Sequence, residues 1–182
     1  MKKITVASLA LFLLVATGCT KEKLPTCPDC KFTCLTPGEA GVLTNDCLDN
    51  YSCSFELHKN AMLDYSGSNT GPYIESGNKL VFALSSATQG SPMVADDEIT
   101  TVLYFEIDAA QQSFLAEGDL MDLLNLRFQQ LCYCVDISRK KPTGGCMQGQ
   151  RIDGSHWMVQ GNLTFSYDFG TVPFKFEAVF SD

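Results

Sequence analysis

Trp157-Met158-Val159-Gln160-Gly161-Asn162-Leu163-Thr164-Phe165-Ser166-Tyr167-Asp168-Phe169-Gly170-Thr171-Val172-Pro173-Phe174-Lys175-Phe176-Glu177-Ala178-Val179-Phe180 is the stretch that decides the fold. Trp157, Val159, Leu163, Phe165, Tyr167 and Phe169 fall, with Gly161, on successive odd positions. Val172, Phe174, Phe176, Ala178 and Phe180 fall on successive even ones. A period of two puts each row on one face of a strand. A two-residue turn at Gly170-Thr171, with glycine first as a type II′ turn requires, brings both rows to the same face. The expected partners are Phe169 with Val172, Tyr167 with Phe174, Phe165 with Phe176, Leu163 with Ala178, and Gly161 with Phe180. Each aromatic pair adds about 0.5–1 kcal/mol beyond area burial. Phe180 over Gly161 would cover a bare glycine with a ring. Pro173, opposite Asp168 in this register, lacks a donor on the side away from its partner, which predicts an edge strand.

Working outward, Asp153-Gly154 suits a type I′ turn joining residues 149–152 to 155–161. Between Leu126 and Ile137 the apolar face switches. Leu126 and Phe128 are on even positions, and Leu131, Tyr133, Val135 and Ile137 on odd ones. A one-residue slip flips every side chain, so either a bulge lies near Gln129-Gln130 or the segment is two strands. Ile99, Thr101, Leu103, Phe105 and Ile107 form one face of a strand, and residues 79–85 alternate around Leu80, Phe82 and Leu84. Leu120, Leu123 and Leu124, behind Gly118-Asp119, allow one or two helical turns. Residues 66–72 are loop by composition. The class expected is all-β: an antiparallel β-sandwich, or alternatively a partly open lipocalin-like barrel. The edge at Pro173 favours the sandwich, because a closed barrel has no edge.

The other end of the chain sets location. Met-Lys-Lys is followed by an apolar run over residues 4–16, broken only by Thr5 and Ser8, and then by Thr17-Gly18-Cys19. A basic start, about 13 apolar residues and small residues before a cleavage point make a secretory signal, too short for a spanning helix. Ala16-Thr17-Gly18-Cys19 resembles the lipobox of bacterial lipoprotein precursors, with Ala16 where leucine is commonest. The resemblance covers about a tenth of the chain. It implies a signal peptide over residues 1–18, removed before Cys19, and acyl chains (palmitate among them) on the Cys19 sulfur and amine. Lys21-Glu22 is similar to the surface-export signal of some such lipoproteins, and no aspartate follows Cys19 to retain it at the inner membrane. The expected place is the bacterial envelope, at the outer membrane or cell surface. Residues 19–26 form a short tether, at most about 25 Å if fully extended. Residues 27–182 form a single domain, divided into a cysteine-rich segment (27–53) and a β body (54–182).

Nine cysteines leave an odd one in an exported protein. With Cys19 lipidated, Cys27, Cys30, Cys34, Cys47, Cys53, Cys132, Cys134 and Cys146 can all pair. Residues 27–53 carry five of them among prolines, glycines, Asn and Asp, a stretch that needs covalent links to hold shape. Five precede residue 54 and three follow residue 131, so at least one bond must join the groups. A hairpin around Lys140 would set Cys134 opposite Cys146, within disulfide reach. Cys132 would then be the staple to the amino-terminal segment. Cys27-Pro28-Asp29-Cys30 admits a thioredoxin-like redox pair, but Pro37 and Gly38 follow too soon for the helix that chemistry needs. Zinc is disfavoured by an oxidising setting and by His58 and His156 lacking ligand spacing to the thiols.

Once Lys2 and Lys3 leave with the signal, 11 basic residues face 21 acidic ones, a net charge of −10. That excludes a nucleic-acid footprint and electrostatic adhesion to anionic lipid, so membrane attachment falls to the acyl chains. There is no Gly-x-Ser-x-Gly, phosphate loop, Gly-x-Gly-x-x-Gly or His-Glu-x-x-His. Asp153, Ser155 and His156 are triad residue types, but neighbours across one turn do not make triad geometry. Asp96-Asp97-Glu98, Asp46 and Asp49 lack a calcium-loop pattern. No catalytic residue, metal or cofactor is expected. The leading expectation is a non-enzymatic envelope lipoprotein that binds a protein or glycan partner or is structural. The alternatives are a lipocalin-like carrier of a small apolar ligand, which needs a hollow interior, and an envelope thiol oxidoreductase using Cys27 and Cys30.

Overall fold

The computed structural model describes residues 24–28, 30–67, 71–90, 98–132 and 136–182. The signal sequence, Cys19, Lys21-Glu22, Asp96-Asp97, Tyr133, Cys134 and Val135 lie outside them. The fold is all-β: β1 (Tyr51–Asp64), β2 (Tyr73–Thr88), β3 (Thr100–Asp108), β4 (Ser113–Glu117), β5 (Arg127–Leu131), β6 (Gly144–Arg151), β7 (His156–Tyr167) and β8 (Gly170–Ser181), with a 3-10 helix over Gly118–Leu124. The strands form one hydrogen-bonded sheet in the order β4-β6-β7-β8-β1-β2-β3-β5, curled into a half-barrel. Every neighbouring pair is antiparallel except β8 and β1, which touch in parallel through Glu56 and Ser181 alone. That thin joint divides the sheet into two four-stranded halves whose inner faces pack on each other, as sandwich layers do.

The core between the halves is aromatic. Phe128 of β5 stacks on Phe165 of β7 with centroids 4.2 Å apart. Phe82 of β2 stacks on Phe105 at 4.5 Å and meets Trp157 of β7 edge-on at 5.7 Å. Phe55 of β1 meets Phe180 of β8 at 5.6 Å. Leu80, Phe82, Leu84, Leu103, Phe105 and Ile107 all face this core, as their alternation requires. In the 3-10 helix, Met121 and Leu124 turn inward, while Leu120 and Leu123 face outward.

The β7–β8 hairpin keeps the expected face but not the expected register. Tyr167 pairs Gly170, so the two-residue turn is Asp168-Phe169, and Phe165 faces Val172, Leu163 faces Phe174, Gly161 faces Phe176 and Trp157 faces Phe180. Sliding a hairpin by two residues on each strand preserves every inward position, so alternation cannot separate the two registers. Two features select the observed one. It pairs both strands over all 12 of their residues, and it seats the Phe176 ring where a Cβ on Gly161 would stand. The covered glycine is real; the covering ring is Phe176 instead of Phe180. Phe169, left at the turn, is exposed and stacks on Tyr167 at 5.0 Å.

Pro173 faces Thr164, and β8 is not an end of the sheet. The local inference survives on finer terms. Lys175 C=O and Glu177 N–H point away from β7 and bond Leu43, so Pro173, of the same parity, has its missing donor on that outer side. The turn between β6 and β7 is longer than a type I′ pair: Arg151 faces Trp157, and Ile152 N–H donates to His156 C=O. Asp153 shapes it by accepting the N–H groups of Ser155 and His156 at 2.7 and 2.9 Å.

No slip occurs within β5, whose pairing with β3 runs unbroken from Arg127–Tyr104 to Leu131–Thr100. The odd-numbered apolar row falls mostly past the strand: β5 ends at Leu131, Tyr133 and Val135 lie outside the described residues, and Ile137 is exposed. Phe128 enters the core, while the returning chain pairs Lys140 with Phe128 and places Ile137 C=O 2.6 Å from Gln129 Nε2. The bulge lies instead in the β1–β2 hairpin, where Ala61 faces both Ser76 and Lys79 beside Asn60 at φ 52°.

Candidate functional site

On the outer face of β6, β7 and β8 stands a row of polar residues: Gln148, Gln160 and Glu177 are direct neighbours across the three strands. The amino-terminal arm crosses this row and buries both glutamines, to 6 % and 5 % exposure. Buried amides need partners, and these have them. Leu35 N–H donates to Gln160 Oε1 at 3.1 Å, and Gln148 Nε2 reaches the same oxygen at 3.4 Å. Thr33 Oγ1 donates to Gln148 Oε1 at 3.4 Å. Gln160 Nε2 in turn donates to Glu177 Oε2 at 2.7 Å.

The arm is fastened at four further points. Cys34 is bonded to Cys146. Asn162 Nδ2 donates to Cys34 C=O at 3.2 Å. Leu43 takes a strand's place beside β8, between Lys175 and Glu177. Asn45 imitates a peptide group, with Oδ1 accepting Val179 N–H at 2.7 Å and Nδ2 donating to Val179 C=O at 2.8 Å. The arm thus fills the wedge where β1 splays from β8. Cys47–Cys53 closes the turn into β1.

Cys146 therefore does not pair with Cys134. Residues 138–140 return along β5, whereas β6 runs between β4 and β7, so β6 is not the return strand of a hairpin around Lys140. The bond between the two cysteine groups is present, carried by Cys34 and Cys146 where Cys132 was expected. Cys132 is itself disulfide-bonded, and Cys134 lies outside the described residues. Cys27 is bonded to Cys30.

Between arm and sheet lies a cleft of about 520 Å³, within the usual range for ligand sites. Phe32, Leu35, Pro37, Val42 and Met158 supply apolar walls; Thr36, Thr44, Glu39, Gln160 and Glu177 are its polar groups, and Cys27–Cys30 lies on its rim. Lys175 Nζ sits 2.7 Å from Glu39 Oε1, and Thr36 N–H donates to Glu39 Oε2 at 3.0 Å. The lysine's hydrogen bond and then the Thr36 amide hold the Glu39 carboxyl below its ordinary value. Glu177 has no cationic partner among the described residues.

Elsewhere, Asp153 Oδ1 and Oδ2 each lie 2.9 Å from His156 Nδ1, while Ser155 contributes its backbone N–H and not its hydroxyl. Asp136 Oδ2 pairs with Lys140 Nζ at 2.8 Å, and Lys140 stands 5.0 Å above the Tyr167 ring. The Lys140 bond, then the Ser138 hydroxyl and amide, bring the Asp136 carboxyl down to about 2. Burial pushes the Tyr167 phenol up to about 12. Among the described residues, no group of His, Cys, Asp and Glu could hold a metal. No helix there is long and apolar enough to cross a membrane.

The polar row was invisible in sequence because its members share the outward parity of β6, β7 and β8, a pattern that reads as solvated until the arm is placed over it. No family model matches the chain, and neither a curated protein nor a solved structure matches it.

Proposed function

We propose that the chain is a lipid-anchored envelope protein, tethered through Cys19, that works without catalysis as a binding module for a protein or glycan partner. The observation that carries this reading is the cleft: about 520 Å³, apolar-walled, and framed by an arm held by a disulfide and paired backbone. A site built on fixed elements binds with little ordering cost. The net charge of −8 for the whole chain leaves nucleic acid out. The twelve largest fully buried side chains, seven of them aromatic, occupy the space a carrier would keep hollow, so the carrier reading has less support.

The test is binding by the full chain in detergent micelles, read by backbone and side-chain amide shifts against peptide and oligosaccharide panels. Shifts gathered at Leu35, Gln160 and Glu177 are the expected result; a partner whose shifts map elsewhere would overturn the choice of site. The thiol-oxidoreductase reading keeps one supporting observation, the half-buried Cys27–Cys30 bond on the cleft rim. Among the described residues no helix begins at that pair to lower a thiol pKa. Insulin reduction at the rate of the uncatalysed control is the expected outcome.

A further inference from the structure

We infer that the cleft selects a cationic side chain, the ammonium of a lysine or guanidinium of an arginine on an extended segment of a partner protein. This rests on the cleft being the binding site and names what it takes. The first ground is charge. Of the two carboxylates at the cleft, Glu39 is paired with Lys175 at 2.7 Å, and Glu177, on the same face of β8 as that lysine, makes no ion pair within 4.0 Å among the described residues. The second is preorganisation. Glu177 Oε2 is held by Gln160 Nε2 at 2.7 Å, and Gln160, 5 % exposed, is held by Leu35 N–H and Gln148. The carboxylate is thereby aimed without a charge partner of its own. The third is shape. Met158, Phe32 and Val42 line the approach, which suits a lysine or arginine stem that buries its methylenes while its head reaches an acceptor. A neutral glycan offers no positive charge for Glu177 and little aliphatic surface for these walls.

The probe is a set of acetylated, amidated pentapeptides, Gly-Phe-X-Phe-Gly, with X as arginine, lysine, norleucine or glutamate, titrated into the full chain in micelles. The expected result is that the arginine and lysine peptides shift the Gln160 side-chain amide and the Leu35 N–H, with the norleucine peptide at least tenfold weaker. Glu177→Gln keeps an acceptor for Gln160 and removes only the charge; it should cost the arginine peptide about tenfold in Kd. Glu117→Gln on exposed β4 should leave it unchanged. Norleucine binding as tightly as arginine, or E177Q without effect, would overturn the cationic preference while leaving the cleft as the site. Shifts from every peptide outside the cleft, or shifts from oligosaccharides alone, would overturn both the occupant and, in the first case, the site.

Discussion

At Gly161 the absence of a side chain is what the core uses. The Phe176 ring lies where a Cβ would go, so Gly161→Ala must push that ring or the strand aside. Overpacking of this kind costs about 1–3 kcal/mol, and the urea midpoint should fall accordingly; an unchanged midpoint would mean that the hairpin register differs. The alternation of residues 157–180 revealed that a ring would cover this glycine but not which one, because registers four residues apart bury the same faces. Asn45 was not legible at all, since nothing in its neighbourhood announces a side chain standing in for a strand. Asn45→Ala leaves Val179 N–H and C=O unpaired in a part-buried place, a loss of about 1–3 kcal/mol. Its signature is local: faster hydrogen exchange at Val179, with Val159 unaffected. Asp136 carries a pH dependence of definite sign. Its folded pKa, about 2, is below the ordinary 3.8, so its contribution is whole above pH 4 and fades as pH falls from there toward 2. Asp136→Asn should therefore be less stable than wild type at pH 6 and converge on it near pH 2, in urea midpoints taken across that range.

Among elements, the three disulfides that involve the arm divide the work unequally. Cys34–Cys146 closes a separation of 112 residues and Cys27–Cys30 one of 3. In the chain-entropy treatment these are worth about 4.8 and about 1.6 kcal/mol. Replacing Cys34 and Cys146 together by serine should lower the denaturation midpoint far more than replacing Cys27 and Cys30. It should also free the Leu35 and Leu43 amides to exchange while β2 and β3 stay protected. Equal effects from the two pairs would show that the arm is held by its hydrogen bonds alone. Strand positions were readable because an inward residue every second place leaves a plain trace, as in Leu103, Phe105 and Ile107. The course of β5 was misread for the opposite reason. Gln129 is buried by the chain returning through Ile137, and a face covered by an irregular segment shows no period.

For the whole molecule, the curled sheet joins its halves only through Glu56 and Ser181, with the arm wedged alongside. Parity of the cysteine counts required a bond between the amino-terminal group and the later one, and this was legible. Its endpoints were not, because they depend on β6 lying between β4 and β7, a long-range order that local patterns do not encode. The cleft exists only where the arm crosses β6, β7 and β8, so the attachment of the arm is the premise of the site and of its occupant. Non-reducing tryptic mapping of the native protein tests that premise most directly. The expected result is a cross-linked pair of peptides, 32–59 with 141–151, carrying Cys34 joined to Cys146. Peptide 141–151 joined instead to 128–139 through Cys134, or Cys34 recovered as a free thiol, would contradict it.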